Sequence, residues 1–165
     1  ITAAYGKEIL STTNSDLYAD IALGYENTFG DIEFMGAVGF ASRSLAAGGS
    51  VNDTFGSASA LHPSGFNVTF AAGSRKDDGK YRQRKVGYIA DWFSVGKTAF
   101  AVDHHEGRDF VTAGSTSESF GFGVVQNFDA PNLEAYLVFR EYKYTETAAN
   151  YLDASSVLFG TRWQF

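Results

Sequence analysis

From residue 17 onward the chain alternates. Leu17, Ala19, Ile21, Leu23 and Tyr25 take one parity, and Tyr18, Asp20, Ala22, Gly24 and Glu26 take the other. Period two is the signature of a strand whose two faces meet different surroundings. A turn signal at Phe29-Gly30-Asp31 follows. Ile32, Phe34, Gly36, Val38 and Phe40 then oppose Glu33, Met35, Ala37, Gly39, Ala41 and Arg43. The grammar recurs in Phe66–Gly73, around Val86–Trp92, in Lys97–His105, Ser119–Phe128 and Leu133–Tyr142, and in the closing stretch 156–165. A weaker segment, Phe55–Leu61, and an opening one from Ile1 to Gly6 bring the expectation to about ten strands.

The segments between them alternate in length. Polar, glycine- and serine-bearing stretches around 7–16, 44–54, 74–82, 106–116 and 143–155 read as long loops, and those around 29–31, 62–65, 93–96 and 129–132 as short turns. Successive antiparallel strands put every other connection at the same end. Long loops therefore gather at one rim and short turns at the other. That is the layout of an outer-membrane barrel, whereas a soluble sandwich scatters its long connections. A ten-residue strand rises about 33 Å, and a tilt of about 45° reduces this to about 24 Å, close to the apolar band of such barrels.

Orientation follows from bulk. Phe, Tyr, Trp and Leu crowd one face; Gly, Ala and Ser, which fill an interior badly, share the other with the strand charges. The bulky face is expected to meet lipid and the small, ionic face to surround water. The expected lining is Asp20, Glu26, Glu33, Arg43, Lys85, Asp91, Lys97, Asp103, His105, Glu134, Arg140 and Arg162. Aromatics near strand ends, among them Tyr25, Phe29, Trp92 and Phe128, suit an interfacial girdle.

Composition removes several classes. A formal charge of −6 argues against a nucleic-acid partner held through phosphates. No run approaches the roughly 18 apolar residues of a membrane helix. The absence of cysteine removes disulfides and thiolate metal sites. No phosphate-cradling loop, nucleophile elbow or zinc spacing occurs, and no cofactor is expected.

Asp103-His104-His105-Glu106 is the one cluster with catalytic or metal flavour. Alternation sends His104 and His105 to opposite faces, so both cannot ligate one ion. An acid and a histidine on barrel strands are reminiscent of the omptin proteases, but no second acidic pair is evident and no enzyme is expected. Arg75-Lys76 with Arg82, Arg84 and Lys85 offers a contact for lipopolysaccharide phosphates or a merely solvated loop base.

The terminal segments resemble a family. Asn127-Phe128-Asp129, Leu133-Glu134-Ala135-Tyr136-Leu137 and Leu158-Phe159-Gly160-Thr161-Arg162-Trp163-Gln164-Phe165 resemble the C-terminal strands of Gram-negative general porins. The specific likeness is confined to roughly the last forty residues. It implies an all-β, antiparallel transmembrane β-barrel of the porin type in the bacterial outer membrane, acting as a passive diffusion channel for ions and small hydrophilic solutes. It further implies lipid and lipopolysaccharide surroundings, a homotrimer, and recognition by the barrel-assembly machinery through Phe159, Trp163 and Phe165. Such porins have about sixteen strands, more than 165 residues supply at this spacing. Residues 1–165 are therefore expected to be a single segment, the C-terminal strands of a longer barrel, with the constriction loop outside it. The alternative is a complete small barrel of eight to ten strands, acting as an enzyme or an adhesion or structural module.

Overall fold

Alternation of this strength leaves the backbone one good solution, extended chain paired on both sides, and the chain takes it. The computed structural model describes residues 1–11, 14–76, 78–130 and 132–163. It contains β1 (Thr2–Ile9), β2 (Ser15–Phe29), β3 (Ile32–Ser44), β4 (Ser50–Leu61), β5 (Phe66–Arg75), β6 (Lys80–Phe93), β7 (Gly96–Arg108), β8 (Thr116–Phe128), β9 (Leu133–Thr145) and β10 (Ala154–Trp163). All ten form one antiparallel sheet in sequence order. The described residues include no helix, and so none long and apolar enough to cross a membrane.

The register joins the apolar sets of separate strands into one continuous surface. Phe34 lies opposite Ala60, Ala60 opposite Val68, and Val68 opposite Val86. The row continues through Val102, Phe122 and Phe139 to Val157. A slip of one residue anywhere would send a strand's apolar set to the wrong face. One irregularity occurs, between Ala90 and Phe93 of β6, where an extra residue bulges the strand near its turn. Gly65 is required at its turn. Its φ is +90°, and a Cβ there would collide with the carbonyl of Ile89, whose amide donates to the Gly65 carbonyl at 2.9 Å.

No described residue covers the apolar face. Among the described residues the only buried hydrophobic side chain is Ala90, whereas Phe122, Leu137 and Phe159 stand 43%, 47% and 79% exposed. Total accessible surface is 11503 Å², against about 8,000 Å² for a compact chain of 17.9 kDa. The excess is what a single layer without a core must show. The sheet is open: β1 pairs only with β2 and β10 only with β9.

The strands run further than their apolar residues, and this changes the picture of the rims. The expected loop 7–16 shrinks to residues 10–14, 44–54 to 45–49, and 74–82 to 76–79. The last is no longer than the opposite-end turn 62–65, so the contrast in connection length survives mainly at 109–115 and 146–153. Polar residues that read as loop are instead polar strand ends. Glu8, Asp16, Asp53 and Arg75 all lie in the ladder.

Candidate functional site

The face opposite the apolar one carries the ionic groups, and the register decides which of them meet. At the end where β1, β2 and β3 approach the loops, Glu8 lies opposite Asp16, and Tyr18 opposite Arg43. The Arg43 guanidinium pairs with Asp16 at 2.6 Å and with Glu8 at 3.4 Å, and it sits 5.1 Å from the centroid of the Tyr18 ring. The Tyr18 hydroxyl donates to Glu8 at 2.6 Å, and the backbone amide of Ala46 donates to the buried Asp16 carboxylate at 2.8 Å. Two acids, one base and a phenol thus form a closed cluster that ties loop 45–49 to the wall. Along the same rim, Arg75 Nε donates to Asp53 at 2.9 Å.

The middle of the face is held by an ion pair that spans a strand. Asp103 on β7 and Arg140 on β9 both lie opposite Gly121 of β8. Arg140 Nη2 reaches Asp103 Oδ2 at 2.7 Å, and Nη1 donates to the Ser119 hydroxyl at 2.9 Å. Lys85 lies opposite Asp103 on the other side. The second oxygen of Asp103, Oδ1, is buried and without a hydrogen-bond partner. His105 stacks on Tyr81 at 5.8 Å with 22° between the rings. Farther along, Arg162 of β10 pairs with Glu134 of β9 at 2.5 Å.

Of the twelve expected lining residues, Arg43, Asp103, Glu134, Arg140 and Arg162 are therefore neutralised within the wall. Among the described residues Asp20, Glu26, Glu33, Lys85, Asp91 and Lys97 make no ion pair. What remains is segregated. Asp20, Glu26 and Glu33 leave β2 and β3 negative, and the unpaired bases Lys85 and Lys97 lie on β6 and β7. Glu33, Asp91 and Lys97 gather around one hollow at the turn end, beside Asp31 and His62. Glu26 borders another with Gly24, Met35 and Ser59.

Glu8, Asp16, Asp53 and Arg75 belong to this face although the sequence pattern read them as loop. Glu8 continues the parity of Thr2, Ala4 and Gly6, and Asp16 that of Tyr18 and Asp20, so both were readable by extending the alternation past its last apolar residue. Phe55 and Tyr81 are a different matter. These aromatics stand on a face of small residues, and each ring lies over a glycine of the neighbouring strand, Gly39 and Gly73, as Tyr136 does over Gly160.

The apolar face holds Phe159 and Trp163 of the expected assembly signal, 79% and 67% exposed; Phe165 lies outside the described residues. Trp92 stands between Tyr88 and Phe100, at 6.2 and 5.6 Å, at the turn end. Arg82 and Arg84 share this face near the loop end, while Lys85 does not.

The cluster 103–106 is pulled apart. Asp103 is held by Arg140 and His105 by Tyr81, while Glu106 turns to the apolar side between Arg82 and Arg108. No three histidine, aspartate or glutamate side chains gather where they could hold a metal ion among the described residues. Outside the strands, Glu146 accepts from Tyr144 and Tyr151 at 2.9 and 3.2 Å. That hydrogen bond raises the Tyr151 phenol above its usual range, because ionising it would place a second anion beside the carboxylate. Chemically the ionic face, over the described residues, offers a polar wall with fixed charges.

Comparison with models of known families, with curated proteins and with solved structures found no match to this chain.

Proposed function

We propose that the ten strands are part of the wall of a transmembrane β-barrel of the porin type in a bacterial outer membrane. Their ionic face lines a water-filled channel for passive diffusion of ions and small hydrophilic solutes. One observation carries the reading: the register gathers most of the bulky apolar strand residues on one uncovered face and most of the strand charges on the other. Water on both sides would leave Phe122, Leu137 and Phe159 hydrated, at about 1.5–3 kcal/mol for each large side chain. Hydrocarbon on the ionic side would cost about 2–4 kcal/mol for each cation at mid-depth. Lipid on one side and water on the other is the only division that avoids both.

A soluble sandwich requires a second sheet against the first, and all ten strands lie in one. A bilayer tolerates no free strand edge, so the reading requires that β1 and β10 pair with polypeptide beyond these strands. That requirement favours a larger barrel, with a homotrimer as its expected assembly, over a ten-strand barrel that closes on itself. Selectivity then comes from lumen width and from the charges left unpaired.

Planar-bilayer recording tests the function. The expected result is stepwise, ohmic conductance from detergent-solubilised protein. A protein that stays monodisperse without detergent and gives no steps overturns the proposal.

A further inference from the structure

On the apolar face, the register sets Val38, Gly56, Ala72, Arg82 and Glu106 in one row across β3 to β7. Gly56 and Ala72 have almost no side chain, while Val38 and Phe70 stand beside them. The result is a trough of about 850 Å³, within the roughly 300–1,000 Å³ of small-molecule sites. Away from its mouth the trough is lined mostly by apolar or small residues, with the hydroxyl-bearing Thr54, Ser57 and Ser74 among them. Its mouth, on the loop side, is lined by Lys80, Arg82 and Arg108.

The mouth is built rather than incidental. Glu106 is 8% exposed and bracketed by two guanidiniums: Arg82 Nε donates to one of its oxygens at 2.7 Å, Arg108 Nε to the other at 2.6 Å. One carboxylate cannot neutralise both, and the arginine side chains keep 47% and 51% of their surface exposed. Lys80 and Arg84 make no ion pair among the described residues. Glu118 and Lys143 continue the row on the far side of Glu106 from the trough. A chain with net charge −6 thus concentrates cations at one point of its apolar face.

We propose that this trough binds a phosphate-bearing lipid, with an acyl chain along the Gly56–Ala72 floor and the headgroup phosphate on Arg82, Arg108 and Lys80. The inference rests on the reading that this face meets a bilayer. A free anion would use the mouth and leave the apolar trough empty; an uncharged lipid would use the trough and leave the guanidiniums unmatched. Guanidinium forks suit phosphate oxygens, and their methylene stems lie on apolar surface without strain.

Native mass spectrometry in a neutral maltoside detergent tests this with phosphatidylglycerol and phosphatidylcholine of identical chains. The wild-type protein is expected to retain phosphatidylglycerol about tenfold more strongly. The triple variant R82Q/E106Q/R108Q, which leaves no buried lone charge, is expected to lose that preference. Ala72→Phe keeps the arginines, fills the floor and is expected to release both lipids; it reports on the site even if the triple variant does not fold. Equal retention of the two lipids by the wild type, an unchanged preference in the triple variant, or displacement of the lipid by inorganic phosphate alone overturns the proposal. Conductance in bilayers is scored separately: a protein that conducts but shows no lipid preference sinks the site and leaves the channel, and a protein with the preference but no conductance does the reverse.

Discussion

Arg140 and Asp103 are two strands apart and still meet at 2.7 Å, because Gly121 lies between them. A Cβ on Gly121 would sit 2.6 Å from the Asp103 carboxylate and 2.7 Å from the Arg140 guanidinium. The glycine is thus the gap through which a charge pair crosses a strand. Glycine in a strand interior ordinarily costs about 0.5–1 kcal/mol relative to alanine. Gly121→Ala regains that amount and breaks a pair whose side chains are only 25% and 15% exposed. Separating such a pair costs about 3 kcal/mol when one charge is left uncompensated. The expected net is a loss of about 2 kcal/mol in urea unfolding of the detergent-folded protein. The G121A/R140A double variant should lose no more than R140A alone, because no pair is left for the new methyl group to break. Full additivity would show that the two residues are not coupled.

Arg162 and Glu134 make a pair of similar geometry and much smaller consequence. Arg162 is 62% exposed on the edge strand and Glu134 29%, so water screens them and the pair is worth at most about 1 kcal/mol. Arg162→Ala should therefore shift the unfolding midpoint less than half as far as Arg140→Ala, and salt should erase the difference from wild type. Comparable shifts for both variants would contradict the ranking by burial.

Faces were legible in the sequence because parity is a local property. Leu17 to Tyr25 declare their side without reference to any other strand. Partnership was not legible. That Arg43 meets Asp16 and Glu8, or that Arg140 meets Asp103, depends on register. Register depends on turn geometry that a one-residue error reverses. Strand ends failed for a different reason. Ladder hydrogen bonds do not require apolar side chains, so β1, β2, β4, β5 and β6 continue through Glu8, Asp16, Asp53, Arg75 and Lys80 where hydropathy had already stopped. Arg82 and Arg84 were grouped with Lys85 by proximity, yet parity alone would have divided them.

The two faces should respond oppositely to the same substitution. Phe122 sits mid-row among Val102 and Phe139 and Ser57 lies between Ala37 and Ala71 on the other face. Phe122→Lys places a cation where hydrocarbon is expected, at about 2–4 kcal/mol if near mid-depth; Ser57→Lys places it in water at little cost. Folding into phosphatidylcholine vesicles, followed by heat-modifiable gel mobility, should fail or slow for the first and proceed for the second. Equal tolerance of both would remove the assignment of the apolar face to lipid.

Selectivity should follow the unpaired charges rather than the full inventory. Asp20, Glu26 and Glu33 have no cationic partner among the described residues, so their field reaches the solvent, whereas Arg43 and Arg140 are cancelled within the wall. Neutralising the three acids together as Asp20→Asn, Glu26→Gln and Glu33→Gln should move the reversal potential in a salt gradient toward anion preference. Neutralising Glu134 and Arg162 together, as Glu134→Gln with Arg162→Gln, removes a pair that already cancels and should move it little. The difference should be large at about 0.1 M salt, where the screening length is about 10 Å, and nearly vanish at about 1 M, where it is about 3 Å. A shift from the Glu134→Gln, Arg162→Gln double variant as large as that from the three acids would mean that ion pairing in the wall does not decide which charges permeating ions feel.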